Sequence, residues 1–240
     1  MHINHTPNPN YIHHQKSGIA GTIREVVFGM EDGMVSTLGA ITGIAAATED
    51  YFTVLLAGFV VVSVESISMA VGSYISSKSK RSVDERKLSE EKEELKKYPV
   101  EEKKELTAMY VADGWTRELA QEMAEQASQN KELFLKEMAY RELKVFPDEL
   151  DEPLKNGVYM GISYVIGGSI PLVPYIVLPI SSAIPVSIVL TFCALFGLGS
   201  WVTKYSKRSF VRAGFEMVAL AGLAAAIGFG VGQLIDTFVR

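Results

Sequence analysis

The sequence predicts an all-α membrane protein with five transmembrane helices and a small cytosolic helical domain inserted between helices 2 and 3. Three observations carry this reading. Five stretches of roughly 20 mostly apolar residues recur along the 240 positions, the length a helix needs to cross a bilayer. Charge is segregated: residues 79–152 hold 20 of the 28 acids and 14 of the 23 bases. Within that segment, acids and lysines recur three and four residues apart, the spacing of neighbours on a helix surface. The overall 48% hydrophobic and 21% charged content averages two unlike regions. The division is a polar N-terminal tail (1–19), transmembrane helices 1–2 (20–78), a cytosolic helical domain (79–152) and transmembrane helices 3–5 (153–240).

The tail carries His2, His5, His13 and His14 and lacks the apolar core of a signal peptide. It reads as a disordered segment with weak metal affinity at most. The first span, 24–47, contains "VVFGMEDGMVSTLGA", apolar sequence with Glu31 and Asp32 inside it. A charge at the bilayer centre costs roughly 3 kcal/mol on insertion scales, so something must offset it. Glu25 and Asp32 are two helical turns apart and share a face, whereas Glu31 points about 100° away from Asp32. The second span, 52–77, has one acid, Glu65, four residues before Met69 and therefore on the same face, with Ser68 beside them. Carboxylates, a thioether and a hydroxyl around one interior suit a divalent transition metal. Carboxylates that protonate also suit proton exchange. A third reading pairs these acids with Arg24 or a helix end and gives them an assembly role only.

The insert predicts three or four short helices. The first continues from the second span, because no Gly or Pro lies between Tyr74 and Pro99. Pro99 then breaks the chain, and Gly114 ends the next helix. Leu119, Met123, Ala127, Leu133, Leu135, Met138 and Leu143 are the expected core. Glu91, Glu94, Glu102 and Glu105 form two i, i+3 pairs flanking Pro99, and Met138 and Glu142 form an i, i+4 pair. On spacing alone these acids read as a solvated face.

The third span, 155–178, carries Gly167, Gly168, Pro171 and Pro174, the signature of a broken membrane helix. Spans 184–203 and 212–236 complete the set. Gly39, Gly43, Gly222, Gly228, Gly230 and Gly232 are expected to permit close helix approach. Cys193, the lone cysteine, reads as a small packing residue and excludes a disulfide framework. Lys and Arg flank the first span, fill the insert and join the last two spans, while the loops near Glu49 and near Leu178 to Pro185 have none. The positive-inside rule places the N-terminus and insert in the cytosol.

Some functions are excluded. No basic patch with interleaved aromatics marks a nucleic-acid surface. A di-iron oxidase needs Glu-x-x-His pairs, and no histidine follows His14. A metal-sensing membrane anchor is the rival to a transporter, although an anchor has no use for acids inside its spans.

The segments "REVVFGMEDGMVSTLGAITG", "SISMAVGSYISSKS" and "GGSIPLVPY" resemble motifs of the vacuolar iron transporter family. The resemblance runs from about residue 20 to 237. It implies a homodimeric exchanger that moves ferrous iron, and often Mn(II), out of the cytosol against protons. It implies no prosthetic group, and one Met among carboxylates also accommodates Zn(II) or Co(II). By resemblance, Glu25, Asp32 and Met69 line the path, with Asp32 and Met69 on the metal. In the insert, Glu91, Glu94, Glu102, Glu105, Met138 and Glu142 bind it. The chain departs from the family at Val61, where plant-like members carry a glutamate; Glu65, one turn later, is the expected substitute. Ala139 stands where a second methionine is usual. The membrane implied is the vacuolar one in a eukaryote and the plasma membrane in a prokaryote.

Overall fold

The computed structural model describes residues 19–48, 50–206, 208–219 and 221–222. Among these, every regular element is helical. Four long helices form a bundle: α1 (Ile19–Ala47), α2 (Tyr51–Lys97), α6 (Pro153–Val177) and α7 (Ile180–Ser206). Between α2 and α6 lie α3 (Pro99–Ala112), α4 (Arg117–Ser128) and α5 (Lys131–Arg141), followed by a short 3-10 turn over Pro147–Glu149. Residues 210–219 are again helical. The histidine tail and most of the expected fifth span, with Gly228, Gly230 and Gly232, lie outside the described residues.

Among the described residues, three segments are long and apolar enough to cross a membrane: Tyr51–Lys97, Pro147–Val177 and Ile180–Lys204. Their outward faces carry Phe52, Ile67, Val177 and Val189, all more than 60% exposed. Such a surface fits a bilayer, where lipid replaces a packing partner. At 29 residues, α1 is long enough too, spanning about 43 Å at 1.5 Å per residue. Its acids lower its apolarity below that of the other three.

Helix α6 is central and packs on α1, α2 and α7. Glycine makes both main seams possible. A Cβ on Gly33 would lie 2.5 Å from the Tyr164 carbonyl oxygen, and one on Gly167 would lie 2.3 Å from that of Met30. On the α2 side, a Cβ on Gly157 would lie 2.8 Å from the Ala70 carbonyl oxygen. The expected contacts at Gly39 and Gly43 are not made among the described residues: none of these lies within 4 Å of a Cβ built on either. Cys193, expected to be a packing residue, is exposed among the described residues.

The broken third span does not occur. Helix α6 runs unbroken through Pro171 and Pro174. Two carbonyls lose their usual donors there, but the helix is buried against three neighbours, and packing holds its course. Ser187 of α7 donates to the Pro171 carbonyl at 2.8 Å. The fourth span starts earlier than expected, at Ile180, with Pro185 inside it.

The long α2 is continuous, as the absence of Gly and Pro requires. Its 47 residues reach about 70 Å, more than twice a hydrocarbon core of ~30 Å. Its far half therefore forms one wall of the insert. Caps set the other insert helices: Thr116 accepts from Leu119 N–H, and Asn130 from Glu132 and Leu133 N–H. Gly114 takes φ +100°, which ends α3 in the left-handed region. The insert core keeps Ala127 and Met138 of the expected set, with Met123 packed against it. Its other members are Leu106, Tyr110, Ala120, Ala124 and Phe134, while Leu119 and Leu133 are about 40% exposed. Helix α4 turns its alanines inward, because small side chains let it lie close to α3.

Candidate metal centre and ion path

The insert centre follows from the chain reversal at Pro99. Tyr98 ends α2 with its N–H on the Glu94 carbonyl, and Pro99 opens α3, where its missing N–H costs nothing. The reversal sets Glu91 against Glu102. Glu142, at the C-terminal cap of α5, completes a triad in which one oxygen from each carboxylate lies within 4.8 Å of the others. Glu91 is 2% and Glu102 7% exposed, while Glu142 is open to solvent.

A network on the neighbouring turn pins α5. Arg141 lies over the Tyr110 ring, 4.4 Å from its centroid, and bonds Glu137 and Asp113. The Tyr110 hydroxyl donates to Glu137 at 3.0 Å. Burial, together with that acceptor, pushes the Tyr110 hydroxyl up to about 12.

The triad is electrostatically unfinished. Among the described residues none of its three carboxylates joins an ion pair, and Glu91 Oε1 has no hydrogen-bond partner. Burial, then the charges of Glu142, Glu102 and Glu94, push the Glu91 carboxyl up to about 8. Burial also raises Glu102, helped by Glu105 and Glu142. Glu142 is raised by burial and by Glu105, with the hydrogen bond it shares with Glu91 acting against the rise. Two species resolve such crowding: a proton shared between Glu91 and Glu142, or a divalent cation among the three. The donor set is all carboxylate oxygen, suited to a hard or borderline divalent ion.

Of the six insert residues singled out from the sequence, the fold brings Glu91, Glu102 and Glu142 together. Glu94 and Glu105 stand nearby and act on the triad through their charge. Met138 is fully buried in the insert core, one turn before Glu142. Pairing along the sequence could not foresee that Glu142, rather than all four hairpin acids, closes the triad. That contact spans 51 positions along the chain.

In the bundle, Glu25 is 2% exposed and doubly held: Arg24 pairs with it at 2.6 Å and the Ser73 hydroxyl donates at 2.7 Å. Further along α1, Asp32 is half-buried and stands close enough to Glu65 of α2 for the two charges to repel. Glu65 is exposed and Met69 half-buried. Glu31 is half-buried beside Asp32.

Two groups beside Asp32 escaped the sequence reading. Ser36 donates to the Asp32 carbonyl at 2.7 Å and shares a 2.5 Å hydrogen bond with the Tyr164 hydroxyl. Tyr164 is fully buried and within reach of the Asp32 and Glu65 charges. The available signal was the Ser163–Tyr164 pair, four residues before Gly168 in a mostly apolar, glycine-rich span.

A sequence profile of the VIT family matches residues 23–233, nearly the whole chain. The chain belongs to the VIT family. It is 28% identical to the vacuolar iron transporter 1 of Arabidopsis thaliana, over 93% of this chain and 90% of that one. It is also 28% identical to the vacuolar iron transporter 2 of Oryza sativa subsp. japonica, over 94% and 92% respectively. The vacuolar iron transporter of Toxoplasma gondii is 26% identical over 90% of this chain and 75% of its own. These relatives carry transporter names, and the VIT family is not one of enzymes. The match extends across the insert as well as the long helices.

Proposed function

We propose that this VIT-family protein moves ferrous iron out of the cytosol in exchange for protons, with Mn(II), Zn(II) and Co(II) as further cargo. The observation that carries the reading is the Asp32–Glu65 pair, two mutually repelling carboxylates on long apolar helices, with Met69 one turn from Glu65. Like charges there are unfavourable unless a cation or protons occupy them, and both carboxylates cannot hold both at once. Metal arriving from the insert side displaces protons, and protons arriving from the other side release the metal. Met69 supplies the soft ligand that favours transition metals over calcium or magnesium.

Under this reading the chain crosses the membrane five times, with the N-terminus and insert in the cytosol. The insert triad gathers metal on the delivering side, near the Arg24–Glu25 end of α1. The names of the relatives favour a vacuolar membrane; in a cell without vacuoles the plasma membrane takes its place. The working unit is a homodimer, for which the open flanks at Gly39 and Gly43 and the exposed Glu65 offer a surface. The rival, a metal sensor anchored by inert spans, leaves the Asp32–Glu65 pair without purpose.

The deciding experiment is Fe(II) and Mn(II) flux into sealed liposomes holding the purified protein. Wild type transports and Asp32→Asn, which keeps the shape and removes the charge, does not. Equal flux in the two would refute the assignment.

A further inference from the structure

The α1–α6 seam holds polar groups that the metal path does not use. The hydroxyls of Thr37, Thr42 and Tyr175 are closed off from solvent, and none makes a hydrogen bond of ordinary geometry. Thr37 is 0% and Tyr175 1% exposed. Each threonine nevertheless has a tyrosine hydroxyl beside it, Tyr164 for Thr37 and Tyr175 for Thr42. Buried hydroxyls with spare capacity are the usual partners of internal water.

These groups lie in order along two parallel helices. By helix rise, Thr42 stands about 7–8 Å beyond Thr37, and Tyr175 about 16 Å beyond Tyr164. At hydrogen-bond spacing of about 2.8 Å, two or three waters would span that length between one pair and the other. The walls around the far pair are apolar: Ile41, Ala45, Val54 and Leu172. At one end, the Ser36–Tyr164 hydrogen bond sits beside Asp32. At the other, Tyr175 adjoins Ile176, whose carbonyl accepts from Tyr51 at the exposed start of α2.

Two features suit this line to protons and not to metal. None of its hydroxyls carries charge, so nothing there compensates a divalent cation for lost hydration. At its Thr37 end the seam is also closed to a hydrated ion, since even a single Cβ on Gly168 would approach Thr37 Oγ1 to 2.9 Å. A hydroxyl or water passes a proton by accepting one on its oxygen and releasing its own hydrogen to the next oxygen. Proton number is conserved and no bond to carbon changes.

We propose that a file of buried water runs along the α1–α6 seam from the Tyr164–Ser36 pair through Thr37 to Thr42 and Tyr175. It carries the counter-moving protons between the Tyr51 end and Asp32 on a route separate from the metal's. The inference rests on the antiport reading above, and its test separates the two.

The test is Mn(II) transport by the full-length protein in liposomes, in two modes. Proton-coupled uptake is driven by an acidic interior and read with a trapped pH dye. Exchange of labelled for unlabelled Mn(II), at equal pH on both sides, moves no net protons. The double variant Thr42→Val, Tyr175→Phe removes two hydroxyls with little change of shape. Its coupled uptake and interior alkalinisation are expected to fall about tenfold, while Mn(II) exchange stays within twofold of wild type. Thr42→Ser, which keeps the hydroxyl, behaves as wild type in both modes. Unchanged coupled uptake in the double variant would overturn the proposal, and so would equal loss of both modes, because the routes would then not be separate. A wild-type protein indifferent to the pH gradient would remove the antiport reading itself, and with it the need for a proton file.

Discussion

Metal binding at the insert triad should be strongly pH-dependent, and the dependence should belong to Glu91. Its carboxyl, raised to about 8, holds a proton at neutral pH that an arriving ion must displace. Well below pH 8 each unit of acidification therefore costs about tenfold in affinity, so the fall from pH 8, where the carboxyl is half protonated, to pH 6 is about 50-fold, or roughly 2.3 kcal/mol. Above pH 8 the curve flattens. The same shift predicts the behaviour of the metal-free protein. Glu91 binds its proton more tightly folded than unfolded, so its contribution to stability is complete below about pH 4.5 and is lost as pH rises through about 8. Metal binding replaces what is lost. The assay is Mn(II) calorimetry on the detergent-solubilised full-length protein, in buffers of different ionisation heat, which counts protons released. The expected count is near one per ion at pH 7 and near zero at pH 9.5. Glu91→Gln should weaken binding, abolish the slope and leave the metal-free protein more stable at pH 9. A flat affinity from pH 6 to 8, or native binding by Glu91→Gln, would refute the reasoning.

Met69→Ala should slow transport and shift preference from Fe(II) toward harder ions, since it removes the soft ligand of the proposed path; competition among metals in the liposome assay reads this. The pair Glu102→Ala, Glu105→Ala should remove much of the insert's metal binding by calorimetry yet only slow transport, because Asp32 and Met69 are untouched. Gly33→Ala should destabilise by about 1–3 kcal/mol in detergent thermal unfolding, since its Cβ would meet backbone at 2.5 and 2.8 Å on α6. Gly39→Ala, with open space around it, should be neutral or gain up to about 1 kcal/mol from helix propensity.

Local features of the chain were legible without the fold. A helix is stabilised by neighbours three and four residues away, so apolar length, charge spacing, caps and breakers are written in contiguous residues. The sequence alone therefore determined the helical class, the unbroken passage of α2 into the insert, the reversal at Pro99 and the halt at Gly114. It also determined that acids sit in otherwise apolar helices, which singled out Asp32 and Glu65. Tertiary structure decided which faces meet, because that depends on shape across the whole chain. It turned the alanines of α4 inward where Leu119 and Leu133 were expected, since α3 lies too close for larger side chains. It kept α6 continuous through two prolines, because burial among α1, α2 and α7 outweighs two lost backbone hydrogen bonds. It chose Glu142 to join Glu91 and Glu102, and Tyr164 with Ser36 to stand beside Asp32. Those contacts cross 40 to 128 positions of chain, and no local pattern encodes a meeting that only the packing of separate helices brings about.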